Sequence, residues 1–130
     1  MNKTTGLLLL AESISFDPKV KKHSIEKICN TIESDIFPFV YEFRLYIKLW
    51  FYNQEKSAML STCLFDDEQE KVRFFHEEEV SNKRDSNMTP GIDFNFSFKA
   101  PIPKPGNYNI RLFEKDELIC DYPIFVSNKC

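Results

Sequence analysis

Five side chains at alternate positions, Arg44, Tyr46, Lys48, Trp50 and Tyr52, set three aromatic rings and two cations along one side of a single segment. Tyrosine, tryptophan and arginine are the usual energetic anchors of protein interfaces, so this pattern points to recognition of a protein partner. Single-stranded nucleic acid also stacks on such rings. The acidic balance of the chain, 17 Lys and Arg against 20 Asp and Glu for a net charge of -3, argues against that ligand. The competing use of the stripe is packing beneath a loop or a strand pair, with Trp50 part of a core.

The remaining reactive side chains form weaker patterns. His23 and His76 are the two histidines, and Glu77, Glu78 and Glu79 follow the second, but neither belongs to a ligand-spaced pair. Asp66, Asp67 and Glu68 resemble a fragment of a calcium loop without its alternating oxygen ligands, its glycine or its terminal glutamate. Cys29, Cys63, Cys120 and Cys130 show no C-x-x-C spacing, which fits reduced thiols. Cys29 and Cys63 could act as nucleophiles only with a base such as His76 at hydrogen-bond distance, and no nucleophile elbow is present. Gly6, Gly91 and Gly106 are isolated, so no phosphate-cradling loop exists. No catalytic or cofactor motif emerges, and no cofactor is expected.

The stripe is positioned by the run Phe39 to Tyr52, whose odd positions Phe39, Tyr41, Phe43, Leu45, Ile47, Leu49 and Phe51 are apolar without interruption. Period-two alternation predicts a strand with one face in a core. Ile92, Phe94, Phe96 and Phe98 alternate with polar residues and predict a second. Further strands are expected over 7–16, 57–65, 71–80, 108–112 and 118–126. In the first, Glu12 shares a face with Leu8, Leu10, Ile14 and Phe16, which demands a bulge, a paired cation or an edge position. Residues 20–33 read two ways. Ile25, Ile28, Cys29 and Ile32 fit a short helix over 24–33 capped by Ser24, whereas a strand would put Ile28 and Ile32 on one face. Ser81 to Pro90 has the composition of a mobile surface loop, and Ala100 to Pro105, with three prolines, that of an extended connection outside any central ladder.

Thirteen Phe and five Tyr against three Gly in 130 residues favour large rings on extended chain over a helical bundle. The expectation is one all-β domain over 1–130, an antiparallel β-sandwich of seven or eight strands with turns about every ten residues. Leu7 to Ala11 is too short for a signal-peptide core and reads as the first strand, and no membrane-length segment follows. A cytoplasmic location is expected.

Pro105-Gly106-Asn107-Tyr108, opening a strand, resembles the tyrosine corner of immunoglobulin-like sandwiches, with Ile110 where antibody domains place a cysteine. Over most of the chain, Leu9-Leu10-Ala11-Glu12, Ile28-Cys29-Asn30-Thr31-Ile32, Phe37-Pro38, Pro-Gly-x-Tyr, Asp116-Glu117-Leu118-Ile119 and Pro123-Ile124-Phe125-Val126 resemble a family of uncharacterised bacterial and phage proteins known as a domain of unknown function. That resemblance implies the immunoglobulin-like fold and assigns no activity; Lys27 stands where the family usually has glycine. The functional expectation is a non-catalytic module that binds a protein partner or a second copy of itself through the aromatic face or an edge strand. A chain rich in Lys, Asn, Ile and Phe suits an AT-rich genome, so a phage inhibitor of a host defence enzyme is one form of this expectation. The alternatives are a metal- or small-ligand-dependent activity using His23, His76 and the acidic turn, and a structural subunit of a larger assembly.

Overall fold

The alternating run becomes β4 (Phe39–Trp50), and its odd residues Phe43, Leu45, Ile47 and Leu49 are fully buried. The computed structural model describes residues 4–51 and 57–129, and among these the chain forms nine strands and no helix. The others are β1 (Thr5–Asp17), β2 (Lys22–Ile28), β3 (Thr31–Ser34), β5 (Ser57–Asp66), β6 (Lys71–Ser81), β7 (Gly91–Ile102), β8 (Gly106–Glu114) and β9 (Glu117–Asn128). They make two sheets, ordered β2-β1-β4-β7 and β3-β9-β8-β5-β6, antiparallel except where β3 runs parallel to β9. β4 and β7 stand where immunoglobulin-like sandwiches place strands B and E, and β5, β8 and β9 where they place C, F and G. The fold is an immunoglobulin-like β-sandwich.

The core lies between the sheets. Leu8 and Leu10 of β1 and the buried face of β4 meet Leu60 and Leu64 of β5, Ile110 and Leu112 of β8 and Val126 of β9. Phenylalanines tie the open side together. Phe43 stacks on Phe98 of β7 (centroids 4.9 Å apart, planes 10° off parallel), and Phe98 stacks on Phe74 of β6 (4.0 Å, 11°). This column spans both sheets at the edge where β6 and β7 face each other. Ring stacking there adds about 0.5–1.5 kcal/mol per pair beyond the area buried.

Of the two readings of residues 20–33, the helical one over 24–33 is not the one adopted. Residues 20–33 supply two strands instead, β2 on one sheet and β3 on the other, which raises the count to nine. The crossing falls at Cys29 and Asn30, where the Cys29 amide donates to the Leu10 carbonyl and the Phe125 amide to the Asn30 carbonyl. The helical spacing of the isoleucines fails because they serve different neighbours. Ile32 is buried against the core while Ile28 is exposed, and Lys27 just before Ile28 has a left-handed φ of 58°. Ladder pairing with β1 and β9 satisfies more backbone than one short helix, and isoleucine favours it.

Three smaller features also differ from the sequence reading or complete it. Pro101 pairs with Val40 inside β7, because β7 is an edge strand and one ladder donor is dispensable there. Glu12 points to solvent with its carboxylate 3.9 Å from Lys27, the paired-cation solution. The stretch 81–90 is on the surface but held: Asn82 Oδ1 accepts from the amides of Arg84 (3.0 Å) and Gly91 (2.8 Å).

Tyr108 has the corner geometry. Its ring is 1% exposed and its hydroxyl donates to the Lys104 carbonyl at 2.6 Å. The preceding Gly106 has φ 138°, and a Cβ there would sit 2.6 Å from Glu68 Cγ, so only glycine fits the turn.

Candidate functional site

β4 is an interior strand, flanked by β1 and β7, so its even side chains Glu42, Arg44, Tyr46, Lys48 and Trp50 form the middle row of the sheet's outward face. Register places Leu7, Leu9 and Ala11 of β1 on one side of that row and Asp93, Asn95 and Ser97 of β7 on the other. All five β4 side chains are half-buried.

The reason is a hairpin that bends back over the face. β1 pairs with β4 only as far as Ala11, and the remainder of β1 pairs with β2 alone. Phe16 and His23 sit opposite each other near the hairpin tip, their rings 4.8 Å apart, and His23 meets the edge of Tyr46 at 4.9 Å. Tyr46 is itself opposite Leu9. The tip therefore returns to the outward face of β4, and Phe16, His23 and Tyr46 form one aromatic chain. Burial, then the nearby Asp93 carboxylate, push the Tyr46 hydroxyl pKa up, with Arg84 opposing.

Charge is arranged around this chain. Arg44 donates to Glu42 (3.0 Å) and to the Glu12 carbonyl (3.2 Å), so it braces the point where β1 leaves β4. Lys48 Nζ lies 3.7 Å from Asp93, and Arg84 Nη2 lies 2.6 Å from the other oxygen of the same carboxylate. The hairpin tip, Lys48 and the 83–93 segment enclose an open cleft of about 540 Å³. Phe16, Met88 and Ile92 line its apolar part, and Lys21, Lys48, Lys83 and Arg84 supply four cations against Asp85 and Asp93. With four cations against two carboxylates, the cleft is locally basic on a chain of net charge -3. Among the described residues no hydroxyl or thiol lines it, so these residues offer surface and charge rather than a nucleophile.

The sequence-predicted residues are thus divided. Arg44, Tyr46 and Lys48 come together with one another and with the hairpin. Trp50 ends the row opposite Thr5 of β1 and Gly91 of β7, where a Cβ on Gly91 would clash with the Leu49 carbonyl. Tyr52 lies outside the described residues. Phe16, Arg84 and Asp93 were missed by sequence reasoning, since no local pattern announces that a hairpin tip and a distant loop converge on β4.

The other candidate chemistry is absorbed by structure. His76 stacks on Phe96 (4.9 Å) at the sandwich edge, with Glu78 at 3.4 Å, and belongs to a different sheet from His23. Asp66 is 1% exposed; it accepts from Arg73 Nε (3.1 Å) and Nη2 (2.9 Å) and from the amides of Glu68 and Gln69. Asp67 pairs with Arg111 at 3.8 Å, and Glu68 accepts from the backbone and side chain of Asn107. The acidic turn is a clasp between β5 and the start of β8. Among the described residues, no three His, Cys, Asp or Glu side chains converge as metal ligands. Cys29, Cys63 and Cys120 are free thiols whose pKa values are raised, chiefly by burial, which makes them poor nucleophiles at neutral pH.

Comparison with known proteins agrees with this architecture. Over 97% of its length the chain matches part of a β-glucosidase from Listeria innocua in complex with glucose, with TM-score 0.54 and 6% identity. It spans 16% of that enzyme. An immunoglobulin-like protein from Pseudomonas aeruginosa matches over 96% of this chain and 97% of its own length, with TM-score 0.45 and 11% identity. No curated protein matches in sequence. Residues 6–127 match a family model across nearly the whole sandwich, and the chain belongs to that family of unknown function, DUF6941.

Proposed function

We propose that this domain is a non-catalytic interaction module that holds an acidic segment of a protein partner against the outward face of β4. The observation that carries the reading is the folded-back hairpin. By returning over an interior strand it turns a flat sheet face into a cleft in which Lys48 of β4 lies among apolar side chains from the hairpin and the 83–93 segment and further cations. Phe16, Met88 and Ile92 would receive an apolar side chain, while Lys21 and Lys83 at the rim would meet carboxylates. Lys48 and Arg84 are held in place by Asp93, so part of the surface is pre-organised and little rotamer entropy remains to be lost on binding.

Trp50, the single tryptophan, ends the same row and reports on the face by its fluorescence. The test is titration of the full chain with peptides that alternate Asp or Glu with Phe, followed at Trp50, in wild type and in Lys48→Glu/Lys83→Glu. The expected result is saturable binding by wild type, weakened at least tenfold in the double variant and unaffected by Lys99→Glu, which lies elsewhere on the sheet. Binding that is equal in all three proteins, or absent from wild type, would overturn the reading. Trp50→Ala should cost about 2 kcal/mol or more of partner affinity if the ring is an anchor.

A further inference from the structure

β6 closes the five-stranded sheet, and what it offers a partner is side chains rather than backbone. The charges of Lys71, Arg73, Glu77, Glu78 and Glu79, together with a bulge, protect this edge from strand addition. The bulge also sorts the charges. Phe74 is opposite Leu64 and Val72 opposite Phe65, so Arg73 is the extra residue, and its guanidinium turns to Asp66. Lys71 falls opposite Asp66, on the other face of the strand from Glu79.

Beyond the bulge the outward row is Phe75, Glu77 and Glu79, opposite Cys63, Ser61 and Met59 of β5, and it contains no cation. Phe75 is 60% exposed, and both carboxylates are exposed. The Ser61 hydroxyl donates to Glu77 at 3.4 Å and steers it. Ser61 and Cys63 are small and buried, so Phe75 and Glu77 stand above them as a ridge along the sheet edge. Among the described strands, no other carries an exposed ring and two carboxylates on one outward face. The cleft on the opposite sheet has the complementary set. Phe16, Met88 and Ile92 form its apolar part, and Lys21 and Lys83 are exposed cations beside it.

We propose, resting on the reading of the cleft given above, that its acidic occupant is the outward row of β6 from a second copy of this chain. Phe75 enters the apolar part, and Glu77 and Glu79 meet Lys21 and Lys83. Cleft and row lie on opposite sheets and face away from each other, so two copies cannot satisfy both pairs at once. The contact is therefore heterologous, and copies join head to tail into a chain or a ring.

The experiment is sedimentation of the full chain over a micromolar to millimolar range, with variants at exposed positions of each surface. Wild type should assemble reversibly beyond the dimer, and less so at high salt. Phe75→Ser/Glu77→Lys disables the row and Lys21→Glu/Lys83→Glu the cleft, and either should raise the dissociation constant roughly tenfold or more. Mixed in equal amounts, the two variants should form a dimer and stop there, because one keeps its cleft and the other its row. A wild type that stays monomeric throughout, a variant that assembles as wild type does, or a mixture that stays monomeric would each overturn the proposal. Titrating Phe75→Ser/Glu77→Lys with the peptide that alternates Asp or Glu with Phe separates this failure from that of the cleft. Saturable binding seen at Trp50 keeps the cleft reading when assembly fails, and no binding removes both.

Discussion

Replacing Tyr108 by phenylalanine removes one hydroxyl and leaves the ring, which isolates the corner bond from the packing. In the native domain the ring is 1% exposed and the hydroxyl donates to the Lys104 carbonyl over 2.6 Å, tying the start of β8 to the connection before it. A typical hydrogen bond contributes about 0.5–1.5 kcal/mol net, and leaving a buried partner unpaired costs about 1–3. Lys104 is exposed, so water can reach part of the orphaned carbonyl, which favours the lower half of that range. The expected loss is about 1–2 kcal/mol, equivalent to roughly 3–6 °C in a domain of this size. Tyr108→Ala also deletes the ring from a close-packed site and should cost about 3–5 kcal/mol. Urea unfolding followed at Trp50 measures both, and the slope should be unchanged between wild type and Tyr108→Phe so that the midpoint shift is a stability difference. A Tyr108→Phe protein as stable as wild type would remove the corner from the list of determinants. One as unstable as Tyr108→Ala would show that the bond, rather than the ring, organises the turn.

Two further outcomes are expected. Asp66→Ala should destabilise the domain by about 2–4 kcal/mol, measured by the same unfolding assay, because it strips Arg73 of its two bonds and the turn amides of their acceptor. Alkaline pH should weaken the fold: the Cys120 thiol is pushed from its ordinary value near 9 up to about 11, by burial and then by Asp121. The unfolded thiol ionises first, so the native state holds more protons between pH 9 and 11, and stability, complete below pH 9, falls as pH rises through that window. Tyr41, Tyr108 and Tyr122, whose pKa values are also raised mainly by burial, should steepen the loss above pH 10. Thermal melts across pH 8–11 test this, and Cys120→Ala should be flatter than wild type between 9 and 11.

The fold was readable wherever the two sides of a strand have different solvents. Alternation in β4 and β7 names its buried residues directly, and Pro-Gly-x-Tyr announces a corner because the chemistry of that turn is local. Residues 20–33 were not readable for the opposite reason. Ile25, Ile28 and Ile32 face three different surroundings, with β2 exposed at Ile28 and β3 buried at Ile32, so no single period describes them. The acidic turn misled in a related way. Asp66, Asp67 and Glu68 look like a cation site as a string, but their partners Arg73, Arg111 and Asn107 come from two other strands, and the three carboxylates point to three different clasps.

The candidate site stands between these cases. The stripe on β4 was legible as a row of rings and cations, but whether such a row is a surface or a floor depends on what crosses above it. That is decided at Ala11, where β1 leaves β4 and carries Phe16 and His23 over Tyr46. Nothing in residues 12–23 marks this return, because the contacts that fix it are made with residues twenty to seventy positions away: Arg44 on the Glu12 carbonyl, His23 on Tyr46, and the 83–93 segment across the cleft. The same geometry explains why the row is half-buried throughout. A fully open aromatic face would be an aggregation hazard on a chain with thirteen phenylalanines, and a fully covered one could bind nothing. The hairpin leaves the intermediate condition, in which the rings are held in place by one another while the cations at the rim remain in reach of a ligand.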